Sequence, residues 1–319
     1  MKVLLVGCGK MGKLILDEIQ KSGKADSLTV CDIKFDREYV SGGVLYTPSL
    51  SSALLTKPDC AFVASPAETH AAVLERLLGA GIRNVYSEKP LVVNAEEYDR
   101  VAALKGDARL AVGYILRQSQ AASEARKRFD ALLLDGFYLE SCRVVYQKYL
   151  PASLEERAQH DLGVFDEVVH VWDLIFNYFG LRSASVISES AGKSEDPHKK
   201  GRCIFAEMAY TLLFEGRKVD LDIYASFLER QRRREFSFLF KNALNEEREL
   251  ILEFDTDDAF DVFRMIGGGT EMICEKYPSL VKLSNQLDQV FRYFETGDCG
   301  DLAVPEDTEE ITLLMKNAC

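Results

Sequence analysis

Long apolar runs are missing from this 319-residue chain. None approaches the ~20 consecutive apolar residues that a bilayer core requires, so no membrane-spanning helix is expected. Positive charge is also scarce: 39 Lys and Arg stand against 51 Asp and Glu, for a net charge of −12. A nucleic-acid partner needs a clustered positive field, so none is expected. The one basic cluster, from Arg230 to Arg234, lies between two strand-like runs and reads as a solvated turn or strand end. The 8 cysteines are scattered and include no C-x-x-C pair. Neither a disulfide framework nor a zinc or other metal site is expected, and a reducing cytoplasm is the natural compartment. The apolar stretch at residues 3–6 is too short for a signal peptide and lacks a cleavage site. Walker A, G-x-S-x-G and H-E-x-x-H patterns are absent. With 8 Pro, 21 Gly and 47% apolar residues, the composition excludes disorder and collagen-like structure.

What is present is a change of pattern part-way along the chain. Residues 2–6, 28–32, 60–64, 84–87 and 109–112 are short, near-continuously apolar runs, as parallel strands covered on both faces must be. Between them, residues 11–21, 70–80 and 95–105 carry apolar side chains at helical spacing. Asn94 with Glu97 predicts a capping box for the last of these. This alternation predicts an α/β doubly wound parallel sheet. After Tyr114 the spacing changes. Helices are expected at 119–134, 162–179, 277–295 and 306–317, and strands at 138–147, 204–214, 219–228, 235–240 and 249–254. In the run from Val219 to Phe227, apolar and polar residues alternate, which signals an antiparallel sheet with one wetter face. Residues 190–202 are polar and read as a loop. The expected domains are 1–116, a dinucleotide-binding Rossmann unit, and 117–319, an α/β unit with an open, mainly antiparallel sheet for substrate binding and oligomerisation.

Gly7-Cys8-Gly9-Lys10-Met11-Gly12 is a G-x-G-x-x-G between the first strand and the first helix. Gly7 permits the tight turn, Gly9 lets the backbone approach a pyrophosphate, and Gly12 lets helix and strand pack closely; the helix N-terminus offers free N–H groups. Asp32 ends the second strand, 20 residues beyond Gly12, where an acidic residue accepts hydrogen bonds from ribose hydroxyls. A carboxylate repels a 2′-phosphate, so NAD is favoured over NADP, although Lys34 and Arg37 lie close by.

Asp166, His170, Asp173 and Asn177 fall at i, i+4, i+7 and i+11, one stripe on a helix otherwise almost wholly apolar. A helix apolar nearly all round is buried, and buried carboxylates are costly unless paired or facing a polar cleft. The stripe is therefore expected to face a cavity, with a structural hydrogen-bond network as the alternative, above all for Asp173 and Asn177.

Three further segments follow predicted strands: Ser65-Pro66-Ala67-Glu68-Thr69-His70, Ser87-Glu88-Lys89-Pro90 and Gly113-Tyr114. With the glycine turn, they make the chain resemble the Gfo/Idh/MocA oxidoreductases, the glucose–fructose oxidoreductase and inositol dehydrogenase group. The resemblance implies that Ser65, Pro66 and Lys89 line the nicotinamide end of the site and that Glu88 lies near the nicotinamide ribose. Asp166, His170 and Asp173 match the family's D-x-G-x-H-x-x-D, with Val168 in place of its Gly. Tyr114 and Arg117 are expected to contact substrate, although 115–119 depart from the family's Arg-Phe pattern. His70 reads as a structural residue at a helix start.

The implied activity is hydride transfer between NAD and a hydroxyl or carbonyl carbon of a sugar, cyclitol or related small molecule. Lys89, His170 and Asp166 are the expected catalytic residues: His170 as proton acceptor, Lys89 as stabiliser of the developing oxyanion, Asp166 holding the geometry. Two alternatives stay open, a glycosidase or eliminase that oxidises transiently with bound NAD, and a non-catalytic dinucleotide sensor. A homodimer or homotetramer is expected, because large sheet faces seek a partner.

Overall fold

The apolar runs of the first third become strands buried on both faces. In the computed structural model, which describes residues 1–149, 163–182, 186–196 and 199–318, two units separate by their internal contacts. Met1–Tyr114 with Leu283–Lys316 form the first, and Ile115–Lys282 the bulk of the second.

In the first unit, β1 (Lys2–Val6), β2 (Ser27–Cys31), β3 (Tyr39–Ser41), β4 (Val44–Thr47), β5 (Cys60–Val63), β6 (Asn84–Ser87) and β7 (Arg109–Val112) lie in the order β3-β4-β2-β1-β5-β6-β7. All pair in parallel except β3, which pairs antiparallel with β4. Leaving β3 aside, this is the doubly wound dinucleotide-binding order, and the reversal of direction at β1 marks the crevice where such sheets hold ligands. Helices α1 (Lys10–Ser22), α2 (Leu50–Leu55), α3 (His70–Gly79) and α4 (Ala95–Lys105) supply the crossovers. The expected cap of α4 forms: the Glu97 N–H donates to the Asn94 side chain at 2.9 Å, and the Glu97 carboxylate accepts from the Val93 N–H at 3.1 Å.

The β3–β4 hairpin and α2 were not legible in the sequence, because strands of three and four residues are too short to show a period. The hairpin turns through Gly42 and Gly43, both at positive φ, and Tyr39 stacks on Tyr46 with ring centroids 4.8 Å apart.

The chain end also differs from expectation. α7 (Lys282–Thr296) and α8 (Pro305–Ala318) follow the second unit in sequence, but residues 283–316 belong with the first unit. Leu287, Val290, Phe291, Phe294 and Leu302 share one core with Val3, Leu5, Phe62 and Tyr86. A helix's apolar stripe shows that it covers a sheet but not which sheet, so the sequence reading left this segment with the second unit. That helix was also expected from residue 277, whereas Tyr277 and Pro278 still close a strand.

The second unit holds β8 (Tyr138–Gln147), β9 (Val186–Asp196), β10 (Lys199–Phe214), β11 (Arg217–Ser226), β12 (Arg233–Lys241), β13 (Glu247–Glu253), β14 (Phe260–Gly267) and β15 (Thr270–Pro278). Their order is β15-β14-β13-β12-β8-β11-β10-β9, antiparallel throughout except where β8 meets β11. Glu215 and Gly216, both at positive φ, form the two-residue turn between β10 and β11. The loop expected over 190–202 is instead strand on both sides of residues 197–198, which lie outside the described residues. Backbone pairing holds a polar ribbon as well as an apolar one, so its composition misled the reading. β14 and β15 were missed for the same reason, since polar and glycine residues interrupt their alternation. Helix α5 (Gln120–Leu134) covers the sheet, with Phe129 packed edge-on against Phe214, Phe238 and Phe240.

The expected helix over 162–179 begins outside the described residues. It is seen as α6 (Phe165–Trp172), running directly into a π-helical turn at Asp173–Tyr178. Glu167, only 6% exposed, anchors α6 to the sheet. It accepts from Lys148 at 2.8 Å, from the Tyr146 hydroxyl at 3.1 Å and from Arg234 at 3.3 Å. Arg234 also bonds Asp255, which in turn accepts from Lys282 at 2.7 Å; Lys282 reaches the buried Asp261 at 2.8 Å. The Arg230–Arg234 cluster is thus not a solvated turn throughout, because Arg234 is largely buried between two carboxylates.

Burial alone would raise the Asp255 carboxyl, but Lys282 and Arg234 outweigh it and hold the group below its usual value of 3.8. A depressed carboxylate contributes stability that is complete above its unfolded pKa and is lost as pH falls through the folded one. Asp255→Asn should therefore cost about 3 kcal/mol at pH 7, the low end for breaking a buried pair. Chemical denaturation should show the gap to wild type closing below about pH 4.

Candidate functional site

The glycine turn is built by close approach. Gly7 sits at φ +97°, and a Cβ there would lie 2.5 Å from the backbone of Ala64 and Ser65. A Cβ on Gly12 would lie 2.1 Å from the Gly7 carbonyl oxygen. Gly9 is different: nothing lies within 4 Å of the position its Cβ would take. The turn is packed on the protein side and open at Gly9, and this fits a pyrophosphate laid against the backbone. α1 starts directly after Gly9 with no side chain capping its N-terminus and no acidic residue in its first turn, so its first N–H groups and dipole are available to an anion. Lys10 and Met11 are exposed beside the opening.

Asp32 latches this turn. The Cys8 N–H donates to one of its oxygens at 2.6 Å, and the Lys34 N–H donates to the other at 2.9 Å. A carboxylate offers about four lone-pair positions, so Asp32 retains capacity for ribose hydroxyls. Burial, and then Asp32 itself, push the Cys8 thiol up, which keeps it protonated. Lys34 and Arg37 are exposed.

The turns after β5 and β6 flank β1's turn at the same carboxyl edge of the sheet. Ser65 is half-buried and bonded through its hydroxyl to Thr69 at 2.7 Å, while Pro66 is exposed. His70 is buried, its ring between the Ser65 and Pro90 carbonyls. Glu88 turns inward: the Tyr86 hydroxyl donates to it at 2.7 Å, and the Gln286 side chain approaches the same hydroxyl at 3.0 Å. Lys89 is half-buried on the β6 turn. Tyr114, beyond β7, is buried.

In the second unit the polar stripe divides in two. Arg117, 8% exposed, grips Asp173, 1% exposed, through two hydrogen bonds of 2.8 and 2.5 Å, and the Asn177 amide donates to Asp173 at 3.4 Å. Asp173, Arg117 and Asn177 thus share hydrogen bonds, with Asp173 and Arg117 buried and Asn177 half-buried. Asp166 is half-buried and His170 buried, one turn apart on α6, with Val168 wholly buried between them. The π-helical turn begins at Asp173, and such turns concentrate at functional sites. Glu167 and its partners went unnoticed in the sequence. The available signal was a second carboxylate in the first turn of an apolar helix, and the partner 67 residues away is visible only in three dimensions. Among the described residues no cluster of His, Cys, Asp and Glu could hold a metal ion, and no helix is long and apolar enough to cross a membrane.

Residues 1–114 match the family described as "Oxidoreductase family, NAD-binding Rossmann fold" (GFO_IDH_MocA). No curated protein sequence matches the chain. Solved structures do. The UDP-N-acetylglucosamine 3-dehydrogenase GnnA of Acidithiobacillus ferrooxidans superposes with a TM-score of 0.76 at 16% identity, over 99% of this chain and 96% of that one. The WlbA dehydrogenase of Bordetella pertussis, in complex with NADH and UDP-GlcNAcA, gives 0.72 at 18% identity, over 99% and 94%. GenD2 from gentamicin A biosynthesis, in complex with NAD, gives 0.75 at 17% identity, over 99% and 92%. At such identities the likeness is one of fold, and it extends over both units. The expected architecture, a Rossmann sheet followed by a mainly antiparallel one, is the architecture found.

The two glycines should separate fold from binding. Gly12→Ala should lower the melting temperature, because the new methyl would collide with the Gly7 backbone. Gly9→Ala should leave it within about 2 °C, since ordinary exposed substitutions cost at most ~0.5 kcal/mol, while weakening dinucleotide binding at least tenfold by calorimetry.

Proposed function

We propose that this protein is an NAD-dependent dehydrogenase that oxidises a hydroxyl-bearing carbon, or reduces the matching carbonyl, of a sugar, cyclitol or sugar-nucleotide-like molecule. The observation that carries the reading is the glycine turn, closed on the protein side at Gly7 and Gly12 and open at Gly9, with Asp32 latched beside it. The family match of residues 1–114 supports it. So do structures of the same fold, one named a UDP-N-acetylglucosamine 3-dehydrogenase and one a dehydrogenase in complex with NADH and UDP-GlcNAcA.

In this reading the first unit binds the dinucleotide. Gly7, Gly9, Lys10, Met11 and Gly12 hold the pyrophosphate, Asp32 the adenosine ribose, and Ser65, Pro66, Glu88 and Lys89 the nicotinamide half. Bound nicotinamide supplies the hydride acceptor. The His170 imidazole takes the hydroxyl proton as general base. The Lys89 ammonium hydrogen-bonds the same oxygen and stabilises its developing negative charge. Asp166, one helical turn from His170, orients the ring, and Tyr114 and Arg117 shape the substrate end. Arg117 is paired there with Asp173. Self-association through the second unit's sheet completes the reading, and light scattering should give a multiple of 35.8 kDa. A reducing cytoplasm is the compartment that completes this reading; cell fractionation is the check.

Asp32 repels a 2′-phosphate, so calorimetry should find NAD(H) bound more tightly than NADP(H), and Asp32→Ala should narrow the gap. His170→Ala and Lys89→Ala should each lower kcat at least ~10²-fold on a turned-over polyol or sugar, the usual cost of removing an acid–base group, with NAD affinity little changed. Net NADH formation during turnover separates this reading from transient oxidation. Near-normal kcat in His170→Ala would move the proton acceptor to Lys89 or Asp166.

A further inference from the structure

His70 opens α3 and is only 1% exposed. Its Nδ1 lies 2.7 Å from the Pro90 carbonyl oxygen, and its Nε2 lies 2.8 Å from the Ser65 carbonyl oxygen. Both neighbours are acceptors. A neutral imidazole carries one N–H and can donate to only one of them; at the other contact, lone pair faces lone pair. Only the imidazolium satisfies both carbonyls.

These carbonyls belong to different turns. Ser65 follows β5, and its backbone N is one of the atoms that exclude a Cβ from Gly7. Pro90 follows β6 and is next to Lys89. One ring therefore links the glycine turn, through Ala64 and Ser65, to the turn that carries Lys89. The charged groups that bear most on the ring are Glu68, on the turn ahead of it, and Lys89.

We propose that His70 is a positioning residue: it sets the spacing between the β5 and β6 turns, and this spacing closes to its binding-competent value when the ring donates to both carbonyls. The proposal rests on the reading that these turns hold the nicotinamide half of NAD. Binding then draws a proton onto His70, because the ligand favours the closed spacing and the closed spacing favours the imidazolium; the coupling is reciprocal. Burial pushes the free ring's pKa below its ordinary value near 6.5, with the Pro90 and Ser65 carbonyls and Glu68 pulling it up and Lys89 pulling it down. The ring is thus largely neutral at pH 7 in the free protein, and affinity for NAD should rise as pH falls through the ring's titration.

The test is calorimetry of NAD⁺ binding to the full-length protein from pH 5.5 to 8, in buffers of different ionisation enthalpy, for wild type and His70→Gln. The glutamine amide can hold one carbonyl but carries no titrating proton. Wild type should take up a proton on binding near pH 6.5 and bind about tenfold more tightly at pH 5.5 than at pH 8. His70→Gln should lose both the uptake and the slope. A His70→Gln protein that keeps the wild-type slope and proton uptake overturns the proposal, whatever its melting temperature, since a merely structural histidine would change stability alone. Should His70→Gln fail to fold, ¹⁵N spectra of the wild-type ring decide the matter. Two protonated nitrogens in the NAD⁺ complex at pH 6.5 support the proposal, and a single one, with and without NAD⁺, overturns it. NAD⁺ binding that is independent of pH in wild type sinks this proposal alone. Absence of NAD⁺ binding at every pH sinks the dinucleotide reading, and this proposal with it.

Discussion

The first unit depends on an approach of backbone to backbone that no side chain permits. Gly7 comes so close to Ala64 and Ser65 that a Cβ would stand 2.5 Å from three of their atoms, and Gly12 crowds the Gly7 carbonyl still more tightly. This contact brings the turns after β1 and β5 to one place at the carboxyl edge of the sheet. The Cys8 N–H then fixes Asp32 against the same turn, and His70 carries the restraint on to the turn after β6. A ligand of alternating charge and shape, such as a dinucleotide, needs several loops held at set distances. Here those distances are set by excluded volume first and by hydrogen bonds second.

The second unit uses buried charge instead. Glu167 pins the start of α6 to β8 and β12, while Arg117 and Asp173 pin its far end to the segment that follows β7. Between the two anchors lies His170, with Asp166 directly ahead of the first. Buried ion pairs add little net stability against well-packed apolar side chains, but they resist displacement, because removing either partner strands a charge in the interior. A helix whose remaining surface is apolar could otherwise slide or rotate at small cost. Two polar anchors on opposite ends select one orientation, and with it the direction of the Asp166–His170 pair.

The match to a sequence family covers residues 1–114, a Rossmann fold, while the likeness of fold runs over nearly the whole chain, and the two units are specified differently. The first unit's turns are specified by residue identity: glycine where a Cβ cannot fit, an acid where two N–H groups converge. The second unit's long strands need only an alternation of apolar and polar residues, which many sequences satisfy.

By itself, the sequence determined the elements whose physics is local. The parallel strands were legible as continuous apolar runs, the glycine turn from its spacing, the α4 cap from Asn94 and Glu97, and β11 from its alternation. The polar stripe on α6 was visible as well. Tertiary structure alone decided everything that depends on a partner distant in sequence. It gave α7 and α8 to the first sheet, since an amphipathic face does not name what it covers. It turned Asp173 toward Arg117, 56 residues earlier, and drew Arg234 from an apparently solvated cluster into the interior. It also set His70 between two carbonyls, a place with nothing in the local sequence to announce it, because the Pro90 contact lies 20 residues away and joins two turns that only the sheet brings together.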